Sequence, residues 1–457
     1  MALIFRRRWL ALSLAATLAA CTVPTPAPGP LPPVLFVHGN GDSAALWTTT
    51  LWRFESNGWP RDRLLAIDLP DPNARDDDSV PQPGRSSTAE QAQALAAAVD
   101  ALLARTGERQ LVLVGNSRGG LTIRNCVQNF GCAGKVSHAV LGGSSNHGVW
   151  ADPAFGPGSE FNGAGPFLAA LNAPKGPQGD EVTPGVLWLT LRSDGQDKYA
   201  QPDGRWIGRA GKPTQVTADG PALKGATNVV LPGRDHREVS YHAQAFEQTW
   251  RFITAMAPER TAVRPEARVE LDGMVGAPGP GGPSNRGLAG AQVEVYAVDA
   301  ATGSRQGGPL HRKTTGADGR WGPMATLPTQ ALEFVVSAPG MATLHVYRSP
   351  FPRSSTLVHF RPERLADADK GASAVAVFAR PRGYFGVPRD RIEFDGRVPA
   401  PGIPEGVPGV AVSRLRLTDA PGRAIVGDYR SGAIHERIVG RTWPASENRL
   451  TLLELHE

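Results

Sequence analysis

"LVLVGNSRGG", Leu111 to Gly120, sets one serine between two glycines directly after a run of leucine and valine. Leu111–Val114 reads as a short buried strand of the kind found in parallel sheets. The "LTIRNC" that follows carries an apolar helical face. Ser117 is therefore expected at a strand-to-helix turn, within Gly115-x-Ser117-x-Gly119. Such a turn strains the serine backbone and pushes its hydroxyl outward. A Cβ at either glycine is expected to collide with the neighbouring strand or helix.

The pattern around this stretch repeats. Strand-like runs occur at 34–38, 64–68, 111–115, 137–142, 186–191 and 228–233. Helical runs lie between them, among them Thr88–Arg105, with Ser87 and Glu90 spaced as a capping box, and Ala243–Thr254. This alternation predicts a mostly parallel sheet flanked by helices. After about Pro265 the texture changes to short alternating runs broken by Gly, Pro and Asp, which predicts an all-β, sandwich-like C-terminal region. Its runs include "AQVEVYAVDAATGSRQ", "LEFVVSAPG", "SAVAVFARPRGYFG" and "NRLTLLELHE". "APGPGGPSNRG" (277–287) reads as a loop or a linker.

The chain has 457 residues, enough for more than one domain. Its 53 glycines and 41 prolines favour loops and β-structure over helix bundles. The net charge of +5 comes with no dense Lys/Arg block beyond the N-terminus, which argues against nucleic acid as a partner. The opening "MALIFRRRWLALSLAATLAAC" has a basic cluster at Arg6–Arg8 and an apolar run of signal-peptide length. It is too short for a confident membrane span. Two readings stay open, an ordinary secretory signal or a lipoprotein signal; both export the protein. The arginine pair before Trp9 hints weakly at twin-arginine export. Export permits a disulfide. Cys126 and Cys132 would face apart on a continuous helix, but Gly131 can end that helix and fold Cys132 back. A disulfide and two unpaired thiols are both compatible with the spacing.

"LAAC", Leu18 to Cys21, resembles a bacterial lipobox. The resemblance implies a signal peptide at 1–20, lipidation of Cys21, a Pro-rich tether at 21–33 and a membrane anchor. Residues 34–260 are expected to form the catalytic domain, 265–360 a β-sandwich module and 361–457 a second β module. The region from about Pro32 to Ala257 resembles secreted lipases of the α/β-hydrolase fold, similar to lipase class 2. "VHGNG" (37–41) resembles their oxyanion loop, "GNSRGG" their nucleophile elbow, "GGSSNHG" (142–148) a strand-end segment and "GPFLAALN" (165–172) the border of the acyl pocket. "DKYAQP" (197–202) resembles the acid loop, with Ala200 where the family has valine. "GAQVEVYAVDAATG…TTGADGRWG", within 288–345, resembles carboxypeptidase-regulatory-like or Cna-B β-sandwich repeats.

What the resemblance implies is a triad in the order serine, acid, histidine. Ser117 is the expected nucleophile and His236, after the last strand, the expected base. Asp197 and Asp194 compete as the acid; the acid loop maps onto Asp197. An oxyanion needs two backbone N–H donors set in advance, and Asn40 and Arg118 are expected to supply them. Trp150, Phe161, Phe167 and Leu168, between Val149 and Gly185, either line the acyl pocket or pack a small core of their own. No zinc spacing appears, and "PDPNARDDD" (70–78) reads as a solvated loop. No metal or cofactor is expected.

The expected function is hydrolysis of carboxylic esters by an exported, lipase-like enzyme acting as a monomer on lipid or polyester. A polyester depolymerase and a non-enzymatic surface protein on a hydrolase scaffold are the rivals. The β region is expected either to present the enzyme to an insoluble substrate or to pack on the catalytic domain and hold it folded.

Overall fold

The computed structural model describes residues 31–209 and 211–457. The expected signal peptide, Cys21 and most of the expected Pro-rich tether lie outside the described residues. Six parallel strands form the first sheet, in the spatial order 64–67, 34–37, 111–116, 136–142, 187–193 and 227–231. The α/β expectation therefore holds, and each strand lies within two residues of where the alternation placed it. The first strand pairs with the second on one side and with the third on the other. That reversal makes a crevice at the carboxyl ends of the strands, where open α/β sheets bind ligands. Ser117 follows the third strand and Asn40 the first, so both loops open onto this crevice.

The helix Thr88–Thr106 begins as its sequence predicts. Ser87 Oγ accepts from the Glu90 amide at 3.2 Å and the Ser87 amide donates back to Glu90 Oε2 at 2.7 Å. These bonds satisfy two donors that a helix start leaves unpaired. Its buried face, Ala92, Leu95, Val99 and Leu102, packs with Leu35, Leu113 and Ile123 against the sheet. Cys126 and Cys132 form a disulfide, Cα–Cα 5.4 Å, where Gly131 turns left-handed at φ 75°. The chain folds back there as expected.

The C-terminal region is strand-rich, as its texture predicts, but it is not two modules. A seven-stranded sheet runs in the order 311–314, 292–297, 332–337, 343–348, 449–454, 374–379 and 412–417. The strand Arg449–Glu454 lies parallel between Thr343–Arg348 and Ala374–Ala379. The segments expected to separate at 360/361 thus share one sheet, because each leaves an open edge that this strand fills. A three-stranded sheet of 391–394, 424–431 and 434–441 completes the region.

Nor is 277–287 a linker. Gly276–Gly279 and Gly282–Gly287 pair as a hairpin. Asn285 at its far strand donates from Nδ2 to Leu69 O at 2.9 Å and Asp42 O at 2.8 Å. The same nitrogen lies 3.2 Å from His38 Nε2. The two halves are also sewn together by packing. Trp52 of the first half is buried in the β region's core beside Phe351 and Val269, and its Nε1 donates to Ser354 O at 3.0 Å. Emptying such a site costs about 3–5 kcal/mol. His359 pairs with Asp68 at 2.9 Å, and Arg53 with Glu457 at 2.5 Å. Of the two expectations for the β region, packing on the catalytic domain is the one these contacts match.

Candidate active site

Ser117 has φ 53° and ψ −121°, a strained conformation for a non-glycine residue. The flanking glycines make it possible. A Cβ on Gly115 would sit 2.7 Å from Ile123 Cδ1 and 2.8 Å from the Gly119 carbonyl carbon; one on Gly119 would sit 2.5 Å from Val37 O. The first glycine lets helix approach strand, and the second lets the helix start pass the first strand. Ser117 precedes the helix Arg118–Asn129, yet its side chain makes no capping bond, so Oγ is free for other partners.

His236 and Asp197 meet, with His236 Nδ1 2.8 Å from Asp197 Oδ2. A carboxylate oxygen accepts, so Nδ1 carries the proton and Nε2 is left as the basic nitrogen. Asp197 Oδ1 accepts from the Tyr199 amide at 2.8 Å, and the edge of the Tyr199 ring packs on the His236 imidazole, centroids 4.5 Å apart. Both partners are nearly dry. Asp194 takes other bonds, from the Gly233 amide at 3.0 Å and Ser193 Oγ at 3.4 Å. The geometry thus pairs the histidine with Asp197 and not with Asp194.

Ser117 and His236 line one cavity of about 110 Å³, together with Gly39, Asn40, Phe161 and Tyr199. Ser145, Tyr199 and His236 also line an adjoining cavity of about 360 Å³. Among the described residues, neither the Asn40 nor the Arg118 amide has an acceptor. Both side chains are spent elsewhere. Asn40 Oδ1 accepts from the Ala74 amide at 2.7 Å, which fixes the loop. Arg118 makes a bidentate pair with Glu160, 2.7 Å at both oxygens, and reaches Ser86 and Pro72 O. Glu160 lies in the 149–185 segment, so this buried pair pins that segment across the cavity. Burial alone would push the Glu160 carboxyl up, and Arg118 opposes it.

The aromatic residues of that segment divide. Phe161 reaches the Ser117 cavity. Trp150 does not; it is buried, with Nε1 donating to Phe155 O at 3.0 Å. Leu168 packs with Leu121 and Leu171, and Phe167 leans on the same cluster. Leu168 and Phe167 thus dock the segment on Leu121 of the helix Arg118–Asn129 and Trp150 packs on Phe155, so none of the three lines the Ser117 cavity.

His38 and His242 make structural contacts, and His147 lines the larger cavity. His38 holds Gly39 O through Nδ1 at 2.8 Å and accepts from the Leu69 amide at 3.0 Å; burial lowers its pKa. His242 caps the helix Ala243–Thr254, and burial with Arg234 nearby lowers it to about 3. His147 Nε2 lies 3.2 Å from both Glu181 oxygens.

Two residues of the site went unread in the sequence. Asn116, inside the elbow, donates from Nδ2 to His236 O at 3.2 Å and Ser240 Oγ at 2.7 Å, joining the serine turn to the histidine turn. The polar residue buried between Gly115 and Ser117 was its signal. Tyr384 lines the cavity from the C-terminal region, and nothing in "RPRGYFG" announces that.

Residues 32–163 match the family model described as alpha/beta hydrolase fold, and residues 267–365 that of the lipase C-terminal domain. The first half thus has the α/β-hydrolase fold, followed by a region similar to lipase C-terminal domains. The second match takes in the stretch 288–345 whose sequence resembles carboxypeptidase-regulatory-like repeats. No curated protein matches it. Among solved structures, Bacillus licheniformis lipase BlEst2 in propeptide form is similar at 16% identity and TM-score 0.37, covering 92% of this chain and 94% of that one. Aspergillus fumigatus lipase B has 15% identity and TM-score 0.35, covering 51% and 55%. Similarity at this level carries no functional argument.

Proposed function

We propose that this hydrolase is an exported serine enzyme that cleaves carboxylic esters through an acyl-enzyme on Ser117. The observation that carries the reading is the dry 2.8 Å pairing of His236 with Asp197 beside the strained, uncapped Ser117. In this reading Ser117 Oγ attacks the ester carbonyl and His236 Nε2 takes its proton. Asp197 keeps Nδ1 protonated and steadies the imidazolium. The free amides of Asn40 and Arg118 receive the oxyanion. His236 then returns the proton to the departing alcohol and activates the water that frees the acid.

The small cavity at Ser117, with Asp42, Arg237 and two tyrosines in its wall, supports a short acyl group better than a long chain. Export is supported by the basic and apolar leader ending at Cys21, and by the disulfide. Cys21 is the proposed lipid anchor.

A chain-length series of soluble p-nitrophenyl esters, beside an emulsified triglyceride and a polyhydroxyalkanoate film, tests the substrate. Highest kcat/KM at acetyl to butyryl esters is expected. A maximum at long acyl chains, or activity confined to the film, would contradict it. Loss of metabolic fatty-acid labelling in Cys21→Ser tests the anchor.

A further inference from the structure

The turn that carries His236 has two acids in it, Asp235 before the histidine and Glu238 after Arg237. Both are fully buried. Among the described residues, no cation of the first half forms an ion pair with either acid; Arg237 and Lys198 act on Asp235 only from a distance. Arg237 turns away, its guanidinium donating to Pro381 O at 2.6 Å and pairing with Asp42 at 3.3 Å. Two buried carboxylates this close repel each other and the fold alike.

The compensating charges come from "RPRGYFGVPR", residues 380–389 of the C-terminal region. Arg380 is fully buried and spends all five of its N–H donors. One goes to Asp235 Oδ2 at 3.2 Å and one to Glu238 Oε1 at 2.6 Å. The other three meet Tyr384 O at 2.6 Å, the Tyr241 hydroxyl at 3.0 Å and Glu457 O at 3.2 Å. Arg389 donates to Glu238 Oε2 at 2.7 Å and to Gly233 O at 3.1 Å, on the strand side of the same turn. The Tyr384 amide adds a bond to Asp235 Oδ2 at 2.8 Å. Gly383 lets the loop wrap its own arginine: a Cβ there would lie 2.4 Å from Arg380 Nη1.

The acids in turn hold the histidine. Asp235 Oδ1 accepts from the Arg237 and Glu238 amides, each at 2.9 Å, and Glu238 Oε2 accepts from the Asp235 amide at 2.9 Å. His236 sits inside this ring of bonds, its direction set by backbone that the two carboxylates fix. We propose that Arg380 and Arg389 are positioning residues for His236, acting through Asp235 and Glu238, so that the C-terminal region completes the catalytic centre. This rests on the reading of His236 as the base. The role is one of geometry: a misplacement of about 1 Å at a reacting group costs on the order of a hundredfold in rate.

The test uses the full chain and a soluble p-nitrophenyl ester. A fluorophosphonate titrates Ser117 to completion, and kcat is expressed per titrated site. Arg380→Lys, Arg389→Gln and Arg389→Lys are compared with wild type, with Arg312→Gln on the exposed face of the β region as the control. The expected result is a fall in kcat per site of about tenfold or more for Arg389→Gln and for Arg380→Lys. KM should stay within about twofold of wild type and Arg389→Lys should recover part of the loss, since its ammonium still reaches Glu238. A merely structural role would lower the fraction of titratable sites and the Tm, with kcat per site unchanged; that result in Arg389→Gln overturns the proposal. Should Arg380→Lys fail to fold, Arg389→Gln decides alone, because its side chain is partly exposed. A wild-type protein that neither turns over ester nor labels at Ser117 instead removes the underlying reading.

Discussion

The two halves of this chain are built on opposite plans. In the first, the sheet strands are joined through helices, except Leu187–Ser193 and Thr227–Leu231, and each lies beside a strand near it in sequence, apart from one reversal between the first and third strands. In the second, Arg449–Glu454 inserts between strands laid down far earlier. The first plan leaves a crevice at the reversal and fills it with Ser117, Asn40 and His236. The second combines local antiparallel pairs, such as 332–337 with 343–348 and 424–431 with 434–441, with that late insertion, and its 380–389 loop clamps the turn that carries His236. The comparison teaches that a β region appended in sequence need not be appended in space. Here it carries the counter-charge that pairs with Asp235 and Glu238 of the first half.

The sharpest way to break that comparison is to remove the second half. A chain ending at Arg264 should lose soluble folded protein and soluble-ester turnover altogether, because Trp52, Asp235 and Glu238 lose their partners at once. Gel filtration and p-nitrophenyl butyrate assay are the checks. A stable, fully active truncation would make the β region the detachable module that its composition suggested.

Within the first half, Asp197→Asn should lower kcat by about 10³–10⁴-fold, since the imidazole loses the acceptor that fixes its tautomer. Asp194→Asn should stay within about threefold, its bonds being to the Gly233 amide and a neighbouring serine. The reverse ranking would reassign the acid.

A smaller effect tests the seam between the halves. Glu436 accepts from the amides of His456 and Glu457 and from Ser349 Oγ, and Glu457 pairs with Arg53 across the seam. Burial pushes the Glu436 carboxyl up from 4.5 to about 7. In that window the folded state holds a proton that the unfolded chain has released, so stability is full below about pH 4.5 and falls as pH rises to 7. The loss should be roughly 2 kcal/mol or less, given the partial solvent contact of the side chain. Thermal midpoints from pH 4.5 to 7.5 should fall more steeply in wild type than in Glu436→Gln; parallel curves would contradict this. Least of all, Asn285→Ala should cost about 1 kcal/mol with activity retained, because it removes donors to Asp42 O and Leu69 O without touching the triad. Chemical denaturation measures it.

How much of this could be read in advance follows the same division. The elbow and the six-strand sheet were legible, because strand periodicity, capping and paired glycines are local signals. The pairing of His236 with Asp197 was foreshadowed by the acid loop, while order along the chain left Asp197 and Asp194 both open. The lining of the Ser117 cavity was not legible: Phe161 reaches it and Trp150 and Leu168 do not, and composition does not separate an apolar residue that faces a cavity from one that packs on its neighbours. Tyr384, Arg380 and Arg389 were invisible for another reason. Their partners lie about 150 residues away, and a buried Arg–Glu bond leaves no trace in local pattern.

The central claim is that Ser117 is a nucleophile activated by His236 and Asp197. The most direct measurement is mass-spectrometric mapping of a fluorophosphonate adduct on the full-length protein, with labelling rates for wild type, Ser117→Ala, His236→Ala and Asp197→Asn. The account predicts a single adduct on Ser117 in wild type, none in Ser117→Ala, and labelling slowed by about a hundredfold or more in His236→Ala and Asp197→Asn. An adduct elsewhere, or equal labelling rates with and without His236, would contradict it.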